Sequence, residues 1–171
     1  MTGLPPRTVA ESRSTAIRLM VPTDANFMGN VFGGQILAEI DRVAYVAATR
    51  HCRQNCVTAS IDGVDFRAPV HVSDVVEWVA QITYVGTTSM EVWIRVSAEP
   101  LQGGTRRPVG EAFVTMVALD GQGRPAPVPP LELTSDEERR RYLQGQTRAA
   151  ARRQHRATRN VERESDGRDT S

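Results

Sequence analysis

The sequence contains no lysine, so all 21 of its strong cations are arginines. We read that bias as one of codon usage rather than of chemistry. With 20 acidic residues the formal net charge is only +1, which removes any general demand for a nucleic-acid or anionic-membrane partner. No apolar run approaches the roughly 18 residues that cross a bilayer, and Met1 to Thr15 lacks the apolar core of a secretion signal. A cytoplasmic protein is the expectation. Cysteine is scarce too, limited to Cys52 and Cys56 beside His51. Three such groups are too few for a zinc site, and a resident disulfide would be unusual in a reducing compartment. Neither a metal nor a cofactor is expected, and the segment reads as a helix end and a loop.

What is present is enough for one domain. A chain of 171 residues that is 40% hydrophobic can bury a single core, with tails left over. Residues 1–14 carry Gly3, Pro5 and Pro6 without any period and read as a flexible leader. Residues 15–131 form the domain. Residues 132–171 are a helical, arginine-rich tail, entered through a capping box of Thr134 and Glu137. Eight arginines fall between Arg139 and Arg159 with no acidic residue among them. They read as a solvated, partly frayed face, with a local positive field for phosphates as the alternative.

Within the domain the apolar period changes once. From Gly34 to about Arg50, Ile36, Leu37, Ile40, Val43, Ala44, Ala47 and Ala48 recur at helical spacing over most of the circumference, the pattern of a helix wrapped by other structure. Before it, Thr15 to Val21 alternates and stops at Pro22, as a short edge strand does. After it the period becomes two across Val57 to Pro69, Asp74 to Val85, Ser89 to Glu99 and Pro108 to Asp120, joined by short turns over the last three. The fold class is α+β, an antiparallel sheet of about five strands curled around one long helix.

Two features carry chemistry. Asp41 has Leu37, Ala38, Ala44 and Tyr45 as its helix neighbours, so its carboxylate sits among apolar groups and needs either a partner or a task. Gly29-Asn30-Val31-Phe32-Gly33-Gly34 leads directly into the helix, where unpaired N–H groups and the positive end of the dipole favour developing negative charge. Together they suggest acyl transfer to water: amides polarise a carbonyl while a carboxylate activates the nucleophile. Asn30 and Asp41 nevertheless lie eleven residues apart, and the aspartate is roughly 10 Å along the helix from its start. A second copy of the chain would bring the two together.

The run Asp24-Ala25-Asn26-Phe27-Met28-Gly29-Asn30-Val31-Phe32-Gly33-Gly34 with Ile40-Asp41 resembles the hotdog-fold acyl-CoA thioesterases related to brain acyl-CoA hydrolase. Thr49-Arg50-His51-Cys52, Val57-Thr58-Ala59-Ser60, Asp65-Phe66, Gly86-Thr87-Thr88-Ser89-Met90 and Gly123-Arg124-Pro125 extend the resemblance in the same order. It implies a hotdog of five or six strands that dimerises and assembles as a trimer of dimers. It also implies hydrolysis of fatty acyl-CoA to free acid and CoA. By the same resemblance an Asn of one chain's loop and an Asp of the partner's helix form each site, matched here to Asn30 and Asp41. Gly33 and Gly34 would receive the carbonyl. Arg67 and the turn Gly86, Thr87, Thr88 and Ser89 would hold the pantetheine arm and nucleotide, Arg67 having a structural ion pair as its alternative. Brain-type members fuse two hotdogs, whereas this chain has one that carries both residues, so a homodimer would hold two complete sites. Phe32 stands where the animal enzymes have His. The competing functions are a hotdog hydratase or dehydratase, which needs a His beside a carboxylate, and a non-catalytic acyl-CoA sensor.

Overall fold

The computed structural model describes residues 3–166, and within them order begins earlier than composition suggests. Arg7–Thr8 is a short strand, β1, and Val9–Ser12 is one helical turn, α1. The Thr8 hydroxyl accepts from the Glu11 N–H at 3.3 Å while the Glu11 carboxylate accepts from the Thr8 N–H at 2.7 Å, a reciprocal cap that satisfies two donors. Val9, Ser12 and Ser14 are buried, and β1 pairs in parallel with Leu131–Glu132. The flexible leader expected over residues 1–14 is therefore corrected for residues 7–14. One cap and one buried valine fix a segment too short to show a period.

The central elements follow the sequence pattern: β2 (Ser14–Leu19), α2 (Gly33–Cys52), β3 (Asn55–Phe66), β4 (Asp74–Val85), β5 (Ser89–Pro100) and β6 (Arg107–Leu119), with β7 (Leu131–Glu132) closing the domain. The large sheet is antiparallel with order β2-β4-β5-β6-β3. The meander β4, β5, β6 occupies its centre, and β2 and β3 form its edges. Helix α2 touches all five strands. Its Ile36, Ile40, Val43, Ala44, Ala47 and Ala48 are buried against Trp78, Ile82, Met90, Val92 and Ile94. This is the α+β hotdog arrangement.

Gly110 holds one edge of that sheet in place. A Cβ there would lie 2.7 Å from the Asp65 carbonyl oxygen on β3, a backbone atom that cannot swing aside. We expect Gly110→Ala to cost about 1 to 3 kcal/mol by forcing β3 away from β6, read as a lower urea midpoint. An unchanged midpoint would mean that β3 shifts freely.

The opposite face of the sheet is covered by α3 (Asp136–Asp166). The Ser135 hydroxyl accepts from the Glu138 N–H at 3.2 Å, and the Glu138 carboxylate accepts from the Thr134 N–H at 2.6 Å. The capping box thus uses Glu138, not Glu137, which binds Arg140 and Arg141 instead. Tyr142 packs on Tyr84 with ring centroids 5.1 Å apart, and the Arg141 and Arg148 guanidinium groups lie 3.9 and 3.8 Å above the Trp93 and Phe113 rings.

The arginine run is partly docked rather than frayed. Glu91, 1% exposed, accepts from Arg148 at 2.7 and 3.1 Å, from Arg152 at 3.1 Å and from the Thr83 hydroxyl at 2.8 Å. Arg152 also binds Asp62. Spacing of i and i+4 sets both arginines on one helix face, a detail that a count of charges does not reveal. Burial pushes the Glu91 carboxyl up, but the hydrogen bonds from Arg148 and Thr83 and the two guanidinium charges outweigh it and hold its pKa below the ordinary carboxylate range.

Candidate active site

The loop before α2 is folded around Asn26. A 3-10 turn, Pro22–Asp24, delivers the chain, and the buried Asp24 accepts from the Val21 N–H at 2.9 Å and from Arg18 at 2.5 Å. The Asn26 side-chain oxygen then accepts from the N–H groups of Met28 at 3.0 Å and Asn30 at 3.2 Å. Its backbone accepts from the Gly29 N–H at 2.9 Å and donates to the Asn30 carbonyl at 2.8 Å. Gly29 turns the chain at φ 79°, where a side chain would be strained. With its oxygen committed twice, the Asn26 amide is immobilised, and among the described residues its N–H₂ donates to no partner.

Asn30 lies at the loop's end and is half-buried. Its backbone bridges to His71, while the Val31 N–H donates to the Val70 carbonyl at 2.8 Å. Its side chain makes no hydrogen bond among the described residues. Phe32 precedes α2 as its N-cap and offers no side-chain hydrogen bond, so the N–H groups of Gly33 and Gly34 stay available. A Cβ on Gly33 would press on the Phe66 ring at 3.3 Å, whereas Gly34 faces open space.

Asp41 is half-buried, and one of its oxygens accepts from the Thr58 hydroxyl of β3 at 2.5 Å. Both residues line a groove of about 580 Å³ together with Arg42, Tyr45, Val46, Cys56 and Val57. Eight residues of helix separate Gly33 from Asp41, roughly 12 Å along the axis, so within one chain the loop amides and the carboxylate do not meet. Around them Phe27, Met28, Phe32, Tyr45, Val46, Val57, Ile61 and Phe66 expose apolar surface along α2 and the free edge of β3.

The other residues proposed from sequence lie apart from Asp41. Arg67 forms an ion pair with Glu111 at 2.6 Å, and that carboxylate also accepts from the Trp93 indole at 2.9 Å. Those partners hold the Glu111 pKa below its usual value, led by the Trp93 hydrogen bond. Gly86 and Thr87 line a separate cavity of about 740 Å³ with Val85, Tyr142 and the proline-rich segment at Pro127 to Pro130. The Gly86 N–H donates to the Ser89 carbonyl at 2.8 Å, and the Thr87 and Thr88 carbonyls accept from Val128 and Ala118. Asn26 and Thr58 both fall within the runs that carry the resemblance, and neither has a role expected from sequence. The Asn-x-x-Gly-Asn pattern, suited to a side-chain-capped turn, pointed to Asn26, but the Thr58 contact depends on tertiary structure. Among the described residues no cluster of three metal-ligating side chains exists, and no helix is long and apolar enough to cross a membrane.

Known proteins resemble the chain over its whole domain. The profile of the Thioesterase superfamily matches residues 28–104. A Bacillus subtilis protein named uncharacterized acyl-CoA thioester hydrolase YkhA is 41% identical over 128 residues, 75% of this chain and 74% of that one. The solved structure of an apo-hexameric acyl-CoA thioesterase superposes with a TM-score of 0.85 at 41% identity, covering 90% of this chain and 99% of its own. An acyl-CoA hydrolase from Staphylococcus aureus, solved with butyryl coenzyme A, coenzyme A and coenzyme A disulfide, gives a TM-score of 0.84 at 32% identity, covering 92% of this chain and 98% of that one. Variants of that enzyme have been solved in which an Asn, an Asp or a Thr is replaced by Ala.

Proposed function

This chain belongs to the thioesterase superfamily, among the acyl-CoA thioester hydrolases, and from that footing we propose that it hydrolyses fatty acyl-CoA at a site shared by two copies. The observation that carries the reading is the Asp41 carboxylate, fixed on one oxygen by Thr58 and open on the other to a groove at the sheet edge. The thioester oxygen would rest on the Gly33 or Gly34 N–H of one copy, at the positive end of α2. Asp41 of the second copy takes a proton from water as the water attacks, and returns it to the departing CoA sulfur. The reaction yields free acid and CoA, and the chemistry asks for no metal.

The unpaired edge of β3 and the apolar strip beside it suit a two-fold partner, which would continue the sheet and cover α2. Such pairing brings each loop toward the partner's Asp41. We propose a trimer of such dimers, in keeping with the hexameric relative. At the nucleotide end, Arg67 remains 57% exposed despite its ion pair and is our candidate phosphate contact, with the Gly86 to Ser89 turn for the pantetheine arm.

Of the two asparagines we favour Asn26 over Asn30 as the side-chain donor. Its amide is locked by two hydrogen bonds, whereas that of Asn30 is held by none among the described residues. The Asn and Asp replaced in the S. aureus enzyme stand fifteen positions apart, and the Asp and Thr seventeen. Asn26, Asp41 and Thr58 repeat those intervals, and Asn30 does not. We expect Asn26→Ala to lower kcat by about a hundredfold, as loss of a donor to a developing oxyanion does. Asn30→Ala should lower it by less than about tenfold, the smaller cost of a loosened loop. The reverse order in a palmitoyl-CoA assay of thiol release would return the role to Asn30.

A hydratase is disfavoured by the histidines. His51 is fully buried with Nε2 at 3.0 Å from the Pro129 carbonyl, and burial lowers its pKa. His71 lies 3.8 Å from Asp74, and neither histidine lines the Asp41 groove. An acyl-CoA sensor would bind palmitoyl-CoA and release no thiol.

A further inference from the structure

Cys52 and Cys56 are the only cysteines in the chain. Both are free and buried, with their sulfurs 3.4 Å apart. Arg53, in the left-handed region at φ 57°, turns the chain from the end of α2 back into β3, and that reversal is what brings the two thiols face to face. A buried cysteine behaves as a small hydrophobe, and one would serve the core here as well as two. Their placement against each other is not required by packing alone. Cys56 also forms part of the wall of the groove that holds Asp41 and Thr58. A small oxidant entering the groove therefore meets Cys56 first, with Cys52 directly behind it.

We propose that Cys52 and Cys56 are a reversible thiol–disulfide site through which a hydroperoxide switches the groove off. The Cys56 sulfur takes one oxygen from the peroxide, becoming a sulfenic acid as water leaves. The Cys52 sulfur then attacks it, the S–S bond forms, and the hydroxyl departs with the Cys52 proton as a second water. Two thiols and one peroxide thus give one disulfide and two waters, and a dithiol reductant reverses the change. Proton sharing assists the second step: the hydrogen bond between the sulfurs brings the pKa of the Cys52 thiol down to about 7 and pushes that of the Cys56 thiol up, so Cys52 is the readier thiolate to attack the oxidised Cys56 sulfur.

Closing the bond requires the sulfurs to approach by about 1.4 Å. Both sulfurs lie in the core, but β3 is irregular just beyond Cys56, between Thr58 and Ser60, so the head of the strand is the part expected to give way. Cys56 and Thr58 lie on the same face of the strand. A pull on the first therefore moves the second, and with it the hydroxyl that orients the Asp41 carboxylate.

The existence of the disulfide is independent of the function proposed above, while its effect on rate rests on that reading, so the test separates the two. The full-length protein is titrated with hydrogen peroxide, and thiols, mass and palmitoyl-CoA hydrolysis are followed together. We expect both thiols to be lost to alkylation, a Cys52–Cys56 linked peptide, and a rate that falls about tenfold or more, the cost of a catalytic group displaced by a fraction of an ångström. Dithiothreitol should restore the rate. Cys52→Ser and Cys52→Ala should keep the reduced-state rate and form no linked peptide. Thiols that both remain alkylatable under excess peroxide, or that link only between chains, overturn the site. A linked peptide formed with no change in rate overturns the switch. A reduced protein that releases no thiol from palmitoyl-CoA counts against the hydrolase reading, and the linked peptide still decides the site.

Discussion

Asp41→Ala should lower the turnover of palmitoyl-CoA by roughly a thousandfold, within the range that a general base contributes, and should leave the melting temperature nearly unchanged. The second half of the expectation follows from the half-exposed position of Asp41. Its only side-chain hydrogen bond among the described residues comes from Thr58, at the rim of the groove. The decisive form of the experiment uses two inactive proteins. When Asp41→Ala and Asn26→Ala chains are unfolded together and refolded, about half of the dimers are hybrids, and each hybrid has one site with an intact Asn and an intact Asp. Activity should return to about a quarter of the wild-type level, since half of the dimers each hold half of the sites. No recovery, with exchange of chains verified by a mass tag, would remove the shared site. The roughly 12 Å of helix between Gly33 and Asp41 makes a site within one chain hard to build, so the recovery is a direct reading of geometry.

Replacing both Arg148 and Arg152 by Ala should destabilise the fold by about 3 to 5 kcal/mol, the cost of stranding one member of a buried ion pair. Glu91 is 1% exposed and would keep only Thr83 as a side-chain donor. Removing residues 148–171 altogether should have the same effect, unlike what the expected solvated, partly frayed face would give. The pH dependence has a definite sign. Because the folded state holds the Glu91 pKa below its ordinary value near 4.5, the stability it contributes is present above that value and is lost as pH falls through the lower, folded one. The gap in urea midpoint between wild type and the double variant should therefore be full at neutral pH and shrink below about pH 4.5. Equal midpoints at pH 7 would show that α3 lies on the sheet without holding it.

The fold was legible wherever one period ran long enough. The apolar repeat of α2 and the alternation of β5, with Met90, Val92 and Ile94 on one face and Glu91, Trp93 and Arg95 on the other, are local patterns that fix the element and, for β5, the face turned to α2, though not the burial of Glu91 beneath α3. The pairing of β3 with β6 was not legible, because strand order depends on contacts distant in sequence. Neither was α3: its arginines look alike as letters, and only the sheet beneath decides that Arg148 and Arg152 meet a carboxylate while Arg153 faces solvent. At the proposed site, the sequence singled out Asp41 by its apolar neighbours and the amides by the glycines ahead of the helix, and the structure sets that carboxylate beside Thr58 in a groove. The preference proposed for Asn26 over Asn30 draws on the loop's hydrogen bonds, and the Thr58 contact required the β3 strand to be laid beside α2.

The bare rim of β3 has a kinetic corollary. If each reaction centre exists only where two such rims join, the specific rate per milligram is set by mass action as well as by chemistry. It should fall on dilution once chains part, and at the lowest concentrations the observed velocity should climb with the square of the protein added. Turnover then reports on self-association as directly as any sizing column.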